Sequence, residues 1–280
     1  MHPKNPFFKD YDFELLIQHY APLNEFVFVN TYGSTTIKFG DKQAIKALNT
    51  GLLKAHYGID WDIPEHNLCP PIPGRLDYLL HISDLFVKHK IRMLDIGTGA
   101  NLIYPILASC HLKWECAATE VDRDSLRNAL EIINKNSCLK GIDLRPQPYK
   151  NNILENVIKP DDIFDVVVCN PPFFKNRHDA QAKNLRKTKN LGLDEKESLN
   201  FGGHSNELWY KGGEEAFIKK MIGESVGFIE QVHWFTVLVS QIEHLKNIKR
   251  AVNKTNPAEV RVVPMALGNK KSRFIAWRYR

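Results

Sequence analysis

The sequence predicts an α/β protein with a doubly wound, mostly parallel sheet of seven strands and a small N-terminal appendage. Three observations indicate this fold class. An apolar strand, a glycine turn and a helical pattern follow one another between residues 91 and 107. Apolar strand patterns then alternate with helical ones, which is typical of a parallel sheet with helices on both faces. Finally, the second strand ends in an acidic residue, Glu120, 23 residues beyond Gly97.

The glycine turn and this acidic residue predict a ligand site. Gly97 and Gly99 separate the strand that ends at Asp95 from the helical pattern that begins at Leu102. Glycine allows the backbone to turn tightly and to approach a ligand closely. In this topology a carboxylate at the end of the second strand accepts hydrogen bonds from both hydroxyls of a ribose. We therefore expect a nucleotide-like cofactor at the carboxyl edge of the sheet.

The elements of the sheet domain follow from their hydrophobic patterns. Strands are predicted at residues 91–94, 114–121, 142–147, 163–169, 232–240, 260–265 and 273–279. Helices are predicted from residue 102 and at 123–137, 216–228 and 242–252. Open parallel sheets bind ligands beyond the carboxyl ends of their strands. Asp95, Glu120, Asn151 and Asn170 fall at such ends, so we expect them to border one site.

The appendage is predicted to comprise residues 1–74, and the sheet domain residues 75–280. The predicted elements of the appendage are a helix at 11–20, a strand or hairpin within 26–39 and a helix that begins after Asp41 and ends at Gly58. Residues 61–74 are rich in proline, so we expect an extended, stiff segment without helix. Its apolar and aromatic residues indicate that it packs against the protein, and a simple linker is the alternative. Arg75 then lies at the start of a helix, where its charge opposes the helix dipole unless an anion pairs with it. An ordinary surface arginine is the alternative.

The composition excludes some classes of protein. The formal net charge of +6 and the sequence pI of about 8.9 permit RNA binding without requiring it. No apolar run is long enough to cross a bilayer, and the first ten residues lack the apolar centre of a signal peptide. The five cysteines have no paired spacing, which indicates reduced thiols and argues against structural zinc. We expect a cytoplasmic protein with no metal, no membrane contact and no obligate protein partner.

The most specific local pattern is the turn after the fourth strand, Asn170 to Phe173. The side-chain carbonyl of Asn170 and the backbone carbonyl of Pro171 can both accept from one planar NH₂ group. The consecutive prolines Pro171 and Pro172 keep the turn rigid, and Phe173 can stack on a flat ring. Two acceptors direct the lone pair of the amine towards an electrophile. This pattern predicts methyl transfer from a sulfonium cofactor by positioning, without a metal or a covalent enzyme intermediate. A purely structural turn is the alternative.

These motifs carry a resemblance to a known family. The segment Asp95 to Ala100, together with Asn170 to Phe173, resembles the class I S-adenosylmethionine-dependent amino-methyltransferases, which have a Rossmann-like fold. More specifically, the stretches that begin at Trp61, Leu68, Thr119, Asn170 and Asn200 resemble the bacterial 23S rRNA adenine-N6 methyltransferase F family. This likeness covers nearly the whole chain. The eukaryotic U6 small nuclear RNA adenine methyltransferases are more distantly similar.

The resemblance implies methyl transfer from S-adenosylmethionine to N6 of one adenosine in 23S rRNA, as naked RNA or in a large-subunit assembly intermediate. It also implies roles for individual residues. Arg75 would contact the methionine carboxylate, and Glu120 would bind the ribose. The remaining cofactor contacts would be Asp95, Gly97, Thr98, Gly99, Asn151 and Asn170. The target base would be held by Asn170, Pro171, Pro172 and Phe173.

Basic residues in two polar segments are expected to contact RNA. Lys4 and Lys9 lie in the N-terminal arm, residues 1–10, for which a solvated terminus is the alternative. Lys175, Arg177, Arg186 and Lys187 lie in the long segment that follows the Asn170 turn. The family resemblance provides no spacing that assigns roles within this segment, and a solvated loop is the alternative.

Three other functions are compatible with parts of the sequence. A protein glutamine N5-methyltransferase is the main alternative, because a glutamine amide also satisfies two acceptors. A non-catalytic RNA-binding factor with a vestigial cofactor site would not require the intact Asp95, Glu120 and Asn170. A dinucleotide dehydrogenase is disfavoured, since Leu102 replaces the third glycine of its fingerprint.

Overall fold

The structure, a computed structural model, describes residues 1–8, 10–65, 67–87, 90–175, 209–267 and 270–280. Its strands are β1 (Val27–Val29), β2 (Thr35–Ile37), β3 (Arg92–Ile96), β4 (Glu115–Glu120), β5 (Asp143–Pro146), β6 (Phe164–Cys169), β7 (Val232–Val239), β8 (Glu259–Leu267) and β9 (Lys270–Arg278). The two short strands β1 and β2 form an antiparallel hairpin, and the other seven form one sheet in the order β5-β4-β3-β6-β7-β9-β8. The predicted fold class and all seven sheet strands are confirmed.

The sheet is parallel from β5 to β7 and antiparallel at its other end, where β9 pairs with both β7 and β8. Successive strand residues enter different layers of the core, since side chains alternate across a strand. Met93 and Val166 pack in one apolar cluster, whereas their neighbours Leu94 and Val167 pack in the other. Both faces of the central strands are therefore buried, which explains their continuous apolar sequences.

Seven α-helices lie among the described residues. They are α1 (Phe13–His19), α2 (Lys42–Tyr57), α3 (Ile72–Ser83), α4 (Ile103–Cys110), α5 (Arg123–Lys135), α6 (Gly213–Ser225) and α7 (Leu245–Lys254). The buried residues of α1 to α5 belong to one apolar cluster and those of α6 and α7 to the other. The helices thus cover both faces of the sheet. None of the described helices is long and apolar enough to cross a membrane.

Two expectations about helix boundaries were wrong. Helix α3 begins at Ile72, inside the segment predicted to lack helix, because Pro73 occupies a first-turn position where no backbone N–H is needed. Arg75 is consequently the fourth helical residue, and the predicted domain boundary after residue 74 falls within α3. The helix predicted at 216–228 begins earlier, at Gly213, and its last three residues form a separate 3₁₀ turn.

The appendage packs on the same core as the sheet. Its helix α2 is capped as predicted: the Asp41 carboxylate accepts from Gln43 N and Ala44 N, and Gly58 ends the helix at φ 69°. Phe7 and Leu16 belong to the cluster that also contains Met93 of the sheet. The described part of the N-terminal arm is not a solvated terminus, because residues 1–8 are held by buried contacts.

Candidate active site

A cavity of about 490 Å³ opens at the carboxyl edge of the sheet. Ile96 at the end of β3, Glu120 at the end of β4 and Asn170 just beyond β6 all line it. This is the position at which open α/β sheets bind ligands. The volume lies within the usual range of small-molecule sites, about 300–1,000 Å³. The strand ends singled out in the sequence therefore meet at one site of suitable size.

The glycine turn is held in place by Glu120. Gly97 and Gly99 adopt φ values of 71° and 65°, in the left-handed region that disfavours side chains. The Gly99 N–H donates to Glu120 Oε2 at 2.8 Å, while Oε1 accepts from Val121 N at 2.7 Å and from Asp122 N at 2.9 Å. These backbone contacts fix the orientation of Glu120 at the cavity wall.

Asp95 lies beneath the turn and is only 1% exposed. Burial raises its pKa to about 7; the nearby Glu120 charge adds to this effect, while Thr98 and Arg75 oppose it. Apart from its contact with Thr98, the Asp95 carboxylate has no hydrogen-bond partner among the described residues. A buried carboxylate of this kind is stabilised by a cation or a donor supplied from the cavity.

Several other buried polar atoms around the cavity lack partners among the described residues. They are Arg75 Nε, Asn170 Oδ1 and Trp209 Nε1. Leaving a buried polar atom unpaired costs about 1–3 kcal/mol, so their concentration at one site indicates a polar ligand. Together with Asp95 and Glu120, these groups fit S-adenosylmethionine, because they offer a guanidinium for a carboxylate, a carboxylate for an ammonium group and an acceptor for ribose hydroxyls.

Arg75 reaches the cavity from the first turn of α3. Its Nη1 donates to the Tyr104 hydroxyl at 2.9 Å, and its guanidinium carbon lies 5.5 Å from the centre of the Tyr104 ring. Burial raises the pKa of Tyr104 to about 12, and Arg75 opposes this rise, so the hydroxyl is neutral at pH 7. Arg75 therefore keeps its positive charge for a ligand that enters the cavity.

The Asn170 turn forms the wall opposite the glycine turn. Asn170 and Pro172 line the cavity; Pro171 is buried next to them, and Phe173 is half-buried. Trp209 and Tyr210, more than 30 residues further along the chain, lie beside this turn. Phe174 pairs with Trp209 in a parallel bridge, and Tyr210 N donates to the Phe174 carbonyl at 3.0 Å. This pairing brings Trp209 and Tyr210 to the cavity.

The predicted cofactor residues meet at the cavity, which is lined by Arg75, Gly97, Thr98, Gly99, Glu120, Asn151 and Asn170, with Asp95 directly behind. The predicted RNA contacts are more scattered. Lys175 is exposed next to the cavity, close to Gly213, and Lys4 is exposed on the N-terminal arm. Lys9, Arg177, Arg186 and Lys187 lie outside the described residues.

Sequence reasoning did not single out several residues that line the cavity, among them Tyr104, Gln147, Trp209, Tyr210 and Phe217. Gln147 directly follows β5, so the strand-end rule that selected Asn151 could have found it. Trp209 and Tyr210 stand just before a pair of glycines, which is a detectable though unspecific signal. Tyr104 and Phe217 belong to apolar helical patterns, and nothing in the sequence distinguishes them from ordinary core residues.

The whole chain is similar to one family and to curated bacterial relatives. The family described as RNA methyltransferase matches residues 1–280. A ribosomal RNA large subunit methyltransferase F from Christiangramia forsetii is 45% identical, with all of both chains covered. The enzyme of the same name from Pseudoalteromonas translucida is 42% identical and aligns over 100% of this chain and 93% of its own length.

Solved structures show the same fold. The hMettl16 catalytic domain in complex with MAT2A 3'UTR hairpin 1 has a TM-score of 0.86 and 30% identity, covering 100% of this chain and 96% of that one. The N-terminal domain of human METTL16 in complex with SAH has a TM-score of 0.81 and 26% identity, covering 100% and 99%. Full-length identity above 40% to the curated relatives and the complete match to the family show that the chain belongs to the RNA methyltransferase family that contains the ribosomal RNA large subunit methyltransferases F.

Proposed function

We propose that this protein transfers a methyl group from S-adenosylmethionine to N6 of one adenosine in the 23S rRNA of the large ribosomal subunit. The observation that carries the proposal is the buried side-chain oxygen of Asn170, which has no partner among the described residues and lies at the same cavity as the glycine turn and Glu120. An adenine N6 amine supplies the donor that this oxygen lacks. The names of the curated relatives support rRNA as the substrate.

The cofactor is expected to lie against the glycine turn. Arg75 would bind its methionine carboxylate, Asp95 would face its ammonium group, and Glu120 would accept from its ribose hydroxyls. Asn151 and Gln147 lie at the cavity wall beyond β5, where they would border its adenine. When bound, S-adenosylmethionine supplies an electrophilic methyl group. Each protein group then contributes position and charge complementarity rather than bond making.

The Asn170 turn would hold the target adenine. Asn170 Oδ1 and the Pro171 carbonyl would both accept from the N6 amine, which orients its lone pair towards the methyl donor. Phe173, together with Trp209 or Tyr210, offers aromatic surface on which the base can stack. Because a stacked base cannot enter such a pocket, the adenosine must leave its helix or come from a loop. Lys4 and Lys175 are exposed cations suited to the flanking phosphates.

The decisive experiment uses large-subunit rRNA from a strain that lacks this gene. We expect the purified protein to place labelled methyl on N6 of a single adenosine, which mass spectrometry of nuclease fragments identifies. Asn170→Ala should reduce transfer by about 100-fold or more, because the amine loses an orienting acceptor. Its affinity for S-adenosylmethionine, measured by calorimetry, should stay within about threefold, since most cofactor contacts come from other residues.

Asn134→Ala, on the exposed face of α5, is the matched control and should retain full activity. An active Asn170→Ala variant would contradict the proposed role of Asn170. Label recovered in a protein glutamine instead of rRNA would establish the alternative activity. Comparing naked rRNA with large-subunit particles from the same strain identifies which of the two is the substrate. We also propose that the protein acts in the cytoplasm and that residues 1–74 contribute to RNA recognition.

A further inference from the structure

Helix α7 presents an exposed surface that is basic along its whole length. Its buried side, Ile248 and Val252, packs in the apolar core. The opposite side consists of Lys246, Lys249, Arg250, Asn253 and Lys254, which line one shallow groove. We refer to these five residues as the α7 basic face. No acidic residue occurs between residues 245 and 258.

The cations of the α7 basic face are not neutralised by the described part of the protein. Lys246, Lys249, Arg250 and Lys254 form no ion pair with a described residue. The neighbouring helix α6 differs, because its Lys219 and Lys220 pair with Glu215 and Glu224 at 2.5 and 2.9 Å. Exposed helices usually mix both signs of charge in this way. An uncompensated basic helix therefore indicates an anionic partner.

The position of α7 connects this surface to the candidate active site. Strand β7 ends at the carboxyl edge of the sheet, and the chain then enters α7 through residues 240–244. The buried Glu214 carboxylate holds this connection: it accepts from Ser240 N at 2.6 Å and lies 2.8 Å from His244 Nδ1. Glu214 is the second residue of α6, which follows Tyr210 and Lys211 at the cavity. The α7 basic face thus begins near the active-site rim.

Its dimensions and charge suit a nucleic-acid backbone. The eight-residue step from Lys246 to Lys254 corresponds to about 12 Å along the helix axis, which is enough to follow several phosphates of one strand. The charges lie along a helix rather than around a closed pocket, so they match a linear polyanion better than a single small anion. Lysine and arginine side chains are long and mobile, and they bind phosphates without reading the base sequence.

We propose that the α7 basic face binds the phosphate backbone of the rRNA outside the target adenosine, at a site separate from the catalytic cavity. The proposal rests on the proposed function for the identity of the RNA. It assigns to α7 the task of retaining the substrate while the adenosine enters the cavity. Removing its charge should weaken RNA binding and raise the KM for rRNA, while kcat and cofactor affinity stay unchanged.

The test compares two charge-reversal variants of the full-length protein. Lys249→Glu/Lys254→Glu alters the α7 basic face. Lys135→Glu/Lys140→Glu changes the net charge equally at exposed lysines near the β5 edge of the sheet. Lysine and glutamate have similar helix propensities, so the fold should persist. Lys249→Gln/Lys254→Gln provides a milder third variant. Binding of a 23S rRNA transcript is measured across a series of KCl concentrations.

We expect the α7 reversal to weaken rRNA binding about tenfold at 0.1 M KCl and to reduce the slope of log K against log salt by about 1–2. The Gln variant should show a smaller effect in the same direction, and the control variant less than a twofold change. Equal slopes and equal KM values for the α7 and control variants would overturn the proposal. Reduced methylation of large-subunit particles with unchanged binding of naked rRNA would also overturn it, by assigning the face to an acidic protein surface.

These results are distinguishable from a failure of the proposed function. If the wild-type protein transferred no methyl group to rRNA, the proposed function would be wrong whatever the variants did. The salt slopes would still report on α7, because they measure binding and not catalysis. Unchanged calorimetric affinity for S-adenosylmethionine in all variants verifies that the cavity is intact.

Discussion

Glu120 lies where a ligand would bind, and it also holds the backbone of the glycine turn in place. Its carboxylate lines the cavity and also accepts hydrogen bonds from Gly99 N, Val121 N and Asp122 N. Three backbone donors on one side chain explain why an acid suits this position even before a ribose binds. The glycine turn is therefore shaped partly by the residue that it faces, 21 positions further along the chain.

Glu120→Gln should weaken S-adenosylmethionine binding by about tenfold or more. The amide replaces one acceptor oxygen with an NH₂ group, which would face backbone N–H donors, and the negative charge is lost. Isothermal titration calorimetry measures the change. Glu131→Gln, on the exposed side of α5, is the control and should bind the cofactor normally. Unchanged affinity in Glu120→Gln would contradict a role in binding the ribose.

Asp95 should make stability depend on pH. Burial raises its pKa from 3.8 to about 7 in the folded protein. Between these values the folded state binds the proton more tightly than the unfolded state, so this group's contribution to stability is full below about pH 4 and declines as the pH rises towards 7. Asp95→Asn removes that contribution. Urea unfolding of both proteins at several pH values should show the wild type losing stability, relative to the variant, across this window.

S-adenosylmethionine provides a second check on Asp95. Its ammonium group favours the ionised carboxylate, so wild-type affinity should rise as the pH increases through about 7. The rise should be absent from Asp95→Asn. An identical pH dependence of the two proteins in both measurements would show that Asp95 does not titrate in this range.

At the scale of elements, helix α3 connects the N-terminal arm to the cavity. The buried Asn5 side chain donates to the Pro73 carbonyl at 2.9 Å in the first turn of α3. In the middle of the helix, His2 N donates to Asp77 Oδ1 at 2.5 Å, and at its C-terminal end His2 Nε2 lies 2.9 Å from Asp84 Oδ2. The arm that carries Lys4 is thus fixed along the helix that carries Arg75.

The contact between His2 and Asp84 is better explained by a hydrogen bond than by a metal ion. His2, His81 and Asp84 each place a potential ligand atom within 4.8 Å of the others. However, Lys4 N donates to His2 Nδ1 at 3.2 Å, so Nε2 carries the proton and donates it to Asp84. An Nε2 that is protonated cannot coordinate a metal. The cluster therefore serves to dock the arm.

Asn5→Ala should detach the first part of the arm without unfolding the protein. It removes the buried hydrogen bond to the Pro73 carbonyl and leaves the Phe7 N–H without its side-chain acceptor, which should cost about 1–3 kcal/mol locally. Hydrogen exchange should increase at residues 2–8, while affinity for S-adenosylmethionine stays unchanged. If the arm contacts RNA, the KM for rRNA should rise. Asn30→Ala, in the exposed hairpin turn, is the control. Unaltered exchange in the arm would contradict the docking role.

At the scale of the whole molecule, the two edges of the sheet differ in how their polar and charged side chains are paired. Among the described residues, most buried polar atoms without a hydrogen-bond partner lie at the carboxyl edge, around the cavity. At the opposite edge, Asp162 just before β6 pairs with Arg145 at 2.5 Å and with Arg92 at 3.0 Å. The Arg92 guanidinium also lies 4.6 Å from the centre of the Phe164 ring. The charged groups at the edge near Asp162 thus pair with one another and link β3, β5 and β6. We expect the polar atoms at the carboxyl edge to find their partners in a bound ligand.

Asp162→Asn should destabilise the protein by about 1–3 kcal/mol at pH 7, because the buried Arg145 guanidinium then keeps only the partly exposed Asp143 as an acidic partner. Burial opposes ionisation of Asp162, but hydrogen bonds from Arg145 and Lys159 N hold its pKa at about 2. Its stabilising effect is therefore present above about pH 4 and is lost as the pH falls towards 2. Urea unfolding should show the difference from wild type shrinking over that range.

Asp124→Asn is the matched control for Asp162→Asn, because Asp124 pairs with Arg127 on an exposed part of α5. It should change the free energy of unfolding by less than about 1 kcal/mol. Equal effects of the two substitutions would contradict the importance of the buried network.

Much of this architecture could be predicted from local patterns. The strands at the sheet centre are recognisable because burial on both faces requires continuous apolar residues, as in Phe164–Cys169. Asp95, Glu120, Asn151 and Asn170 could be selected because topology places strand ends together. Helix α3 was misjudged at its start, since proline disrupts helices in their interior but is tolerated in their first turn.

The sequence by itself determined the fold class, the strand ends that form the site and the family resemblance, because hydrophobic periodicity and short motifs are local properties of the chain. Only the tertiary structure decided which distant residues complete the site. Trp209 reaches the cavity through its pairing with Phe174, and Tyr104 through its contact with Arg75. The docking of the arm along α3 and the absence of ion pairs from the α7 basic face within the described residues also depend on which surfaces meet and which stay exposed, although the basic composition of α7 is visible in the sequence.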